Sequence, residues 1–543
     1  MDYLERLKSI AAFCMQHDRI FIYGAGEYAQ WLAWYLGEEK QSIAGYIVSD
    51  GEYIGKPSID GVAVCHLSEV EFSDGDGIFV ALSEKWQRKV CDSLLAKGIH
   101  STDLYCIGDP LFVVLQTWCA VVCNRREERF SESETSCYEA KFHAILGGHQ
   151  HIEVKRGFGY SIGGALLELF CQKKYDMAEH AYTLYVIATK EDPRKNYFLQ
   201  PNAYFYNVFD DKNFCCVRED NLKFWKYIFL HHPEKLAVHT DYGYVTDVME
   251  KSIERMHQGE FRNTEDGLIR LDKDEKSGRA ALEKMGVHGD FIAIYARDDG
   301  YYKKTWCAPM DEPLRIMDLY RNSDIRTFLS AAEFLKDRGI ASVRVGSFPA
   351  STLQVDAIVD YAKDFHSDFM DFYLAKHCKF FLGDHSGVIF FQVFWSKPMV
   401  MINLPNITGY ADGSFPFVRE RDLAIYHKFW SKEKNRLLNL SEILEIEDLS
   451  DQPYAYSGNV RVMEEYDKCG IVPIPNTPEE IRAVTQEMLE RLDGKLSYTE
   501  EDEMLQSKFW AILEPYLKTR PRVLWYDARV GRDFLRENPW MTC

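Results

Sequence analysis

The stretch of sequence that decides the fold is Phe380-Phe381-Leu382-Gly383-Asp384-His385-Ser386-Gly387. Its apolar start predicts a buried strand, its Gly-Asp-His-Ser-Gly run predicts a turn, and the aromatic residues that follow predict a helix. A second apolar strand begins after Lys397-Pro398 and runs through Met399-Val400-Met401-Ile402-Asn403. Strand, helix and strand in this order are typical of a parallel α/β sheet.

The Asp384-His385-Ser386-Gly387 turn also indicates a function. A helix that begins at such a turn directs free backbone N–H groups and the positive end of its dipole above the sheet edge, which favours phosphate. The alternative is an ordinary strand–turn–helix connection, which any α/β sheet contains. The segment alone leaves both interpretations open.

Length and charge exclude several classes of protein. A chain of 543 residues is too long for one core and predicts several domains. The net charge of −20 argues against a nucleic-acid-binding protein, whose surface would be basic. No run of about 18 apolar residues occurs, so we expect no membrane-spanning helix.

The N-terminal residues and the cysteines predict a cytoplasmic protein. Met1-Asp2-Tyr3-Leu4-Glu5-Arg6 lacks the basic region and the apolar core of a signal peptide. The 14 cysteines form no disulfide framework and no pair of pairs at zinc spacing. We therefore expect free thiols, no metal site and no cofactor. The inner face of the membrane is the alternative location, and the oligomeric state stays open.

Apolar runs that alternate with amphipathic segments divide the chain into three predicted domains, residues 1–117, 118–289 and 290–543. Such alternation predicts parallel, doubly wound sheets. In the third domain, we expect helices over residues 325–338, 479–492 and about 499–517. The predicted fold class is α/β, with two Rossmann-like domains that face each other across a cleft and an additional small Rossmann-like domain before them.

A glycine-rich turn in the first domain predicts a nucleotide site. Gly24-Ala25-Gly26-Glu27-Tyr28-Ala29 fits the G-x-G-x-x-A pattern between a strand and a helix. The glycines permit a tight turn and let a pyrophosphate approach, and Asp50 lies a little beyond the usual position of a ribose-binding acid. The alternative is a Rossmann-like domain that keeps the turn and binds nothing.

Residues 156–164 form a glycine-rich strand-to-helix loop in the second domain. Glycine lacks a Cβ and so lets the backbone approach a ligand closely. The predicted ligand-binding loop contains Gly157, Gly159, Tyr160 and Gly163, and the family resemblance given below implies that it is an acceptor loop. The alternative is that these glycines serve only the geometry of the turn. No Gly-Lys-Ser/Thr follows, so the loop is not a Walker A motif.

The third domain carries the strongest set of candidate residues, because several of them follow predicted strands. The carboxyl ends of parallel strands meet at one edge of a sheet, where ligands bind. Two arginines and a helix N-terminus at that edge suit a diphosphate leaving group without a metal. The predicted donor-binding residues are Arg297, Lys303, Arg344, Gly346, Ser347, Asp384, Ser386, Gly387 and Asn403. The alternative is that Arg297 and Arg344 form surface ion pairs with Asp298, Asp299 or Asp324.

If the site transfers a sugar from a diphosphate leaving group and inverts its configuration, a general base is needed. Asp299 and His385 are the predicted catalytic residues, and His149 or His151, before the glycine-rich loop, are further candidates. The residue types alone do not decide among them.

Ordered motifs in the chain resemble a family of bacterial glycosyltransferases encoded with surface-polysaccharide genes. The resemblance covers about residues 150 to 543 and implies a GT-B glycosyltransferase. Arg297 also resembles the phosphate-binding arginine in the His-x-Arg segment of GDP-fucose-using transferases, although Tyr295 stands in place of the histidine. The motifs are Arg297-Asp298-Asp299-Gly300-Tyr301, Arg321-Asn322-Ser323-Asp324-Ile325, Val343-Arg344-Val345-Gly346, Asp360-Tyr361-Ala362, Ser367-Asp368-Phe369-Met370-Asp371, residues 379–403, Arg421-Asp422-Leu423 and residues 534–540.

The front of the chain, to about residue 115, resembles a small Rossmann-like domain of sugar acetyltransferases and of enzymes from capsule gene clusters. The resemblance rests on Tyr23-Gly24-Ala25-Gly26, Gly45-Tyr46-Ile47-Val48-Ser49-Asp50, Gly61-Val62-Ala63-Val64 and Gly98-Ile99. In those acetyltransferases the domain binds a UDP-sugar, and the resemblance implies the same role here.

Together these features predict a metal-independent hexosyl- or deoxyhexosyltransferase. It would use a nucleotide-sugar donor and a glycan or lipid-linked glycan acceptor in polysaccharide biosynthesis. The rival hypothesis is a non-catalytic nucleotide-sugar sensor or scaffold of a polysaccharide assembly system. A third hypothesis is an epimerase or dehydrogenase that uses the Gly24 turn. Such an enzyme needs a Tyr-x-x-x-Lys pair near the nicotinamide, and the sequence offers none there.

Overall fold

The computed structural model describes most of the chain, and these residues belong to two compact units. The first unit comprises Met1–Gly159, Tyr175–Gln200 and Phe209–Asp247, and the second comprises Tyr160–Lys174, Pro201–Val208 and Val248–Cys543. The described residues are 3–51, 57–122, 129–156, 182–186, 214–217, 219–239, 275–305, 320–408, 421–448, 456–518 and 528–543, with Gly163, Leu166, Leu169, Gln172, Asn202 and Tyr204.

A six-stranded sheet forms the front of the first unit, in the order β3-β4-β2-β1-β5-β6. All neighbours are parallel except β3 and β4. Its strands are β1 (Arg19–Tyr23), β2 (Gly45–Val48), β3 (Ser58–Ile59), β4 (Val62–His66), β5 (Asp76–Ala81) and β6 (Leu104–Ile107). The helices around it are α1 (Tyr3–Met15), α2 (Glu27–Glu38), α3 (Glu84–Ala96) and α4 (Asp109–Val121).

The central strand β1 is apolar because both of its faces are covered. Ile20 and Ile22 face the cluster that contains residues of α1, α2 and α4. Phe21 and Tyr23 face the opposite cluster, to which α3 contributes. A strand that is buried on both faces consists of consecutive apolar residues, and this pattern made β1 predictable from the sequence.

A four-stranded parallel sheet completes the first unit, in the order β10-β7-β8-β9. It shares the larger hydrophobic cluster with the front sheet, and α4 contributes most of its length to that cluster. Its elements are α5 (Glu132–Leu146), β7 (Ile152–Arg156), β8 (Thr183–Val186), β9 (Phe214–Cys216), α6 (Glu219–His231) and β10 (Leu236–Val238). The division into three domains at residues 117 and 289 remains a prediction.

The second unit is built on a seven-stranded parallel sheet, in the order β13-β12-β11-β14-β15-β16-β20. Its strands are β11 (Phe291–Tyr295), β12 (Ala341–Arg344), β13 (Ile358–Val359), β14 (Phe381–Asp384), β15 (Met399–Leu404), β16 (Leu423–Tyr426) and β20 (Arg529–Val530). A small antiparallel sheet contains β17 (Lys428–Ser431), β18 (Arg436–Leu437) and β19 (Ile471–Ile474).

Helices accompany the strands of the second unit. In chain order they are α7 (Glu275–Lys284), α8 (Gly300–Thr305), α9 (Leu329–Lys336), α10 (Tyr361–Asp364), α11 (Asp368–His377), α12 (Ile389–Phe394), α13 (Leu440–Asp448), α14 (Tyr456–Lys468), α15 (Pro478–Leu492), α16 (Glu500–Lys518) and α17 (Arg532–Glu537). Among the described residues, no helix combines the length and the apolarity needed to cross a bilayer.

The predicted α/β class is confirmed, since parallel sheets organise both units, and this architecture is consistent with a GT-B fold. The predicted helices over residues 479–492 and 499–517 agree with α15 and α16 within one residue. The predicted helix over residues 325–338 begins instead with a 3-10 turn, Ile325–Phe328, before α9. The side chain of Asp324 causes this start, because it accepts the N–H of Arg326.

Candidate functional site

The candidate site lies at the carboxyl edge of the seven-stranded sheet, where β11 and β14 are central neighbours. Tyr295 of β11 pairs with Gly383 of β14, so the residues that follow them share this edge. Arg297 comes two residues after β11, and Asp384 ends β14. An open parallel sheet binds its ligands at this edge.

Asp384 is the centre of a buried hydrogen-bond network. Its carboxylate accepts the backbone N–H of Arg297 at 2.8 Å, the amide of Asn403 at 2.9 Å and the hydroxyl of Ser323. Burial raises the pKa of Asp384 to about 6, although these hydrogen bonds and the charge of Arg297 act in the opposite direction. The network ties the ends of β11 and β15 and the loop at Ser323 to the end of β14.

Asn403 belongs to the same network and is buried. Its backbone N–H donates to Oδ1 of Asn476 at 2.7 Å, and the N–H of Asn476 donates back to Oδ1 of Asn403 at 2.7 Å. Its Nδ2 is bound to Asp384. Since both ends of its side chain are engaged within the protein, Asn403 positions the strand ends.

Two arginines and one histidine lie beside this network. Arg297 is buried and donates through Nη1 to Asn322. Nη2 of Arg321 donates to the backbone carbonyl of His385 at 3.1 Å and lies 3.4 Å from its Nδ1. Burial lowers the pKa of His385 well below its ordinary value, and the charges of Arg321 and Arg297 act in the same direction.

The local charge at this edge therefore favours an anion. His385 is neutral at physiological pH, while both guanidinium groups remain charged. The Nε atom of Arg321 is buried and has no hydrogen-bond partner among the residues that the structure describes. A buried N–H group without a partner is costly, and a phosphate oxygen would satisfy it.

Arg321 was not among the residues predicted from the sequence. Arg321-Asn322-Ser323 was recognised only as part of a motif that precedes a helix. No periodicity marks these residues, and only the order of the strands brings them beside β11 and β14. Their proximity to Arg297 and Asp384 depends on contacts between residues far apart in the sequence.

Arg344 has a different environment from Arg297. Its guanidinium is buried and donates to Asp360 at 3.3 Å, to Asp298 at 3.4 Å and to the carbonyl of Ser351 at 2.9 Å. This is the pairing with carboxylates that the sequence offered as the alternative, although it is buried rather than on the surface. The donor-binding role of Arg344 remains a prediction.

No protein-family model matches the sequence, and no curated protein matches it either. The solved structures similar to it include the family 9 glycosyltransferase from Veillonella parvula, at 13% identity over 59% of this chain and 96% of that chain, with a TM-score of 0.29. They also include the E. coli iron-containing dodecameric heptosyltransferase TibC in complex with ADP-D-β-D-heptose. It is 11% identical over 64% of this chain and 79% of that chain, with a TM-score of 0.33. A third is the UDP-GlcNAc 2-epimerase of Methanocaldococcus jannaschii, at 9% identity over 87% of this chain and 99% of that chain, with a TM-score of 0.20. Similarities this distant do not carry over a function.

The other predicted donor residues follow β11, β12 and β14, and Lys303 lies in α8. Lys303 is exposed, and its Nζ lies 2.6 Å from the carboxylate of Asp299. Gly346 has a φ of +107°, and a Cβ there would lie 2.8 Å from the ring of Tyr295. Ser347 follows it and is partly buried. The structure thus places Asp299 in an ion pair at the start of α8.

The turn after β14 contacts one glycine of the predicted acceptor loop. Oγ of Ser386 accepts the N–H of Val388 at 3.2 Å. A Cβ at Gly163 would lie 2.6 Å from Cα of Gly387, so the two glycine backbones approach each other directly. The helix that follows, α12, has only 6 residues, which is short for the predicted dipole effect. Gly157, Gly159 and Tyr160 lie outside the described residues.

Two of the predicted nucleotide-binding residues of the first unit, Gly24 and Asp50, have contacts within the protein that account for their presence. A Cβ at Gly24, whose φ is +119°, would lie 2.7 Å from the carbonyl of Ala81. The carboxylate of Asp50 accepts the backbone N–H of Ser68 at 2.8 Å. A Cβ at Gly26 would have no atom within 4 Å, so the surroundings of this glycine are open to a ligand. His149 and His151 precede β7 in the same unit.

Within the described part of the chain, one group of side chains has the spacing of a metal site. The ligand atoms of His366, Asp368 and Asp371 lie within 4.8 Å of one another. His366 and Asp371 form an ion pair at 3.3 Å, and Asp371 also accepts hydrogen bonds from Tyr361 and Asn202. These contacts engage the side chains of His366 and Asp371, and the absence of a metal here remains a prediction.

Proposed function

We propose that the protein is a glycosyltransferase that moves a hexosyl or deoxyhexosyl group from a nucleotide-sugar donor to a cell-surface glycan or lipid-linked glycan acceptor. The observation that carries the proposal is the group formed by Arg297, Arg321 and neutral His385 at the carboxyl edge of a parallel sheet. Fixed positive charge at this edge suits the diphosphate of a donor. It stabilises the leaving group without a metal ion.

In the proposed reaction, a hydroxyl oxygen of the acceptor bonds to the anomeric carbon and loses its proton to the general base. The bond between the anomeric carbon and the diphosphate breaks, and the nucleoside diphosphate keeps the electron pair. Arg321 would bind the oxygens that gain charge, through the Nε that has no partner among the described residues. His385 would donate a hydrogen bond to a phosphate, since a lowered pKa makes it a weak base. Asp299, which pairs with Lys303, remains the candidate general base.

Arg321 is a cleaner probe of this site than Arg297. Arg297 is buried and bonded to Asn322, so its removal would disturb the loop that carries Arg321. Arg326 offers a matched control, because it is an exposed arginine five residues away that pairs with Asp324. Arg321→Ala tests the site, and Arg326→Ala reports any general effect of losing a positive charge.

The test is a calorimetric screen of the purified protein against UDP-, GDP-, ADP-, CDP- and dTDP-sugars. We expect at least one donor to bind, with an affinity at least tenfold weaker in Arg321→Ala and unchanged in Arg326→Ala. A protein that binds none of these donors contradicts the proposal. Equal donor affinity in both variants and the wild type would show that the donor does not bind at this edge of the sheet.

A further inference from the structure

Phe348 has a backbone conformation that its residue type disfavours. It has a φ of +52°, and it is the one aromatic residue among the described non-glycine residues with positive φ. The side chain is 47% exposed. A residue before proline is normally extended, and Pro349 follows. Strain of this kind persists only where the surrounding structure imposes it, and it concentrates at ligand sites.

The loop that carries Phe348 is held by three charged side chains, of which Arg344 and Asp360 are buried. Asp298 accepts the N–H of Ala350 at 3.0 Å, and Arg344 donates to the carbonyl of Ser351 at 2.9 Å. Asp360 accepts the N–H of Leu353 at 3.2 Å. The Arg344 network described above therefore fixes the segment that directly follows Phe348.

Close packing at Gly300 and Gly346 also fixes this loop. A Cβ at Gly300 would overlap the carbonyl of Phe348, so the loop lies directly on the glycine backbone. Gly346, with its positive φ, lets the chain turn over the ring of Tyr295. The fold thus imposes the unfavourable conformation of Phe348 and keeps its ring at the surface.

Two other rings lie next to Phe348. The ring of Tyr301 is 6.4 Å away at an interplanar angle of 34°, and that of His366 is 6.4 Å away at 37°. His366 is held by its ion pair with Asp371. The three residues follow β11, β12 and β13, so they lie at the same edge as Arg321 and His385.

We propose that Phe348, flanked by Tyr301 and His366, is the surface on which the nucleobase of the donor stacks. The inference rests on the proposed function and names the residue that would hold the base. Neighbouring strands lie about 4.8 Å apart, so the end of β12 is roughly one strand away from the diphosphate-binding end of β11. A nucleobase can stack on an exposed aromatic side chain, and the fixed backbone of Phe348 reduces the entropy that is lost on binding.

The experiment measures, by calorimetry, the binding of UDP, GDP, ADP, CDP, dTDP and inorganic pyrophosphate to the full-length protein. The variants are Phe348→Ala, Phe348→Gly and Phe348→Trp, with Trp86→Ala as a control that removes an exposed aromatic from the first unit. We expect nucleoside diphosphates to bind at least about tenfold more weakly to Phe348→Ala and Phe348→Gly, which is about 1.4 kcal/mol. Phe348→Trp and Trp86→Ala should bind as the wild type does, and pyrophosphate affinity should not change in any variant.

Thermal unfolding separates a stacking role from a structural one. Phe348→Gly relieves the positive φ, so it should unfold at a temperature at least as high as the wild type while it binds nucleotide more weakly. A purely structural Phe348 would instead give a lower unfolding temperature and an equal loss of pyrophosphate and nucleotide affinity. That result would overturn the inference.

The outcomes also separate this inference from the function on which it rests. A wild type that binds no nucleoside diphosphate overturns both. A wild type that binds one with unchanged affinity in Phe348→Ala overturns only the stacking role. Unchanged nucleotide affinity together with weaker binding of a glycan acceptor would show that the ring stacks on a sugar, and it would overturn the inference as well.

Discussion

Three glycines of the first unit provide a graded test of its turn geometry. Gly24→Ala introduces a Cβ 2.7 Å from the carbonyl of Ala81, at a φ of +119°. The carbonyl belongs to the buried strand β5, so it has little freedom to move. Strain and overpacking each cost about 1–3 kcal/mol, so we expect a loss of about 2–6 kcal/mol in the free energy of unfolding.

The two companion variants separate strain from steric overlap. Gly98 has a φ of +90° with nothing within 4 Å of a Cβ, so Gly98→Ala should cost only about 1–2 kcal/mol of strain. Gly26 has a φ of −87° and equally open space, so Gly26→Ala should change stability little or raise it by up to about 1 kcal/mol.

Urea unfolding followed by tryptophan fluorescence measures the series, since Trp31 is buried in the same core. Equal losses for Gly24→Ala and Gly98→Ala would refute the close approach to Ala81. A loss above about 1 kcal/mol for Gly26→Ala would refute the open turn. The series also identifies Gly26→Val as the better probe of UDP-sugar binding by the first unit, because Gly24→Val would disturb the fold itself.

Three further changes in the second unit have definite expected results. Arg344→Met should lower the free energy of unfolding by about 3–5 kcal/mol, because it leaves the buried carboxylate of Asp360 without its cation. The exposed Arg326→Ala should change it little in the same urea titration. Gly163→Ala should lower the unfolding temperature and the donor affinity, because its Cβ would lie 2.6 Å from a facing backbone, and Gly148→Ala, in open space, should change neither. Asp384 has a folded pKa of about 6 against an ordinary 3.8, so ionisation of this carboxyl destabilises the fold as the pH rises. Between pH 4 and pH 7, the free energy of unfolding of the wild type should fall by roughly 2 kcal/mol relative to that of Asp384→Asn. Equal differences at both pH values would contradict the assigned burial of the carboxylate.

The elements of the second unit were predictable because their signals are local. The apolar run before Gly383 gives β14, and the Thr477-Pro478 start gives α15, where Thr477 caps the N–H of Glu480. These features depend on residues within one turn or one strand. The positions of the candidate residues at one sheet edge also followed, since parallel strands place their carboxyl ends together.

The partners of the site residues were not predictable in the same way. Asp384 was expected to contact a ligand, but it binds Asn403 and Ser323, whose proximity depends on the order of the strands. The positive φ of Phe348 is imposed by contacts with distant residues, and nothing in its own sequence favours it. Local patterns therefore locate this edge, whereas tertiary hydrogen bonds decide which side chains remain available to a ligand.

The central claim is tested most directly by measuring whether the protein cleaves the donor that it binds. The sugar nucleotide that binds in the calorimetric screen is incubated with the wild type, Arg321→Ala and Arg326→Ala in the presence of a bacterial surface-glycan extract. Phosphorus NMR then follows the release of nucleoside diphosphate. A glycosyltransferase releases it in the wild type and in Arg326→Ala, at a rate at least tenfold lower in Arg321→Ala. A donor that binds but stays intact in all three would contradict glycosyl transfer and identify a nucleotide-sugar-binding scaffold.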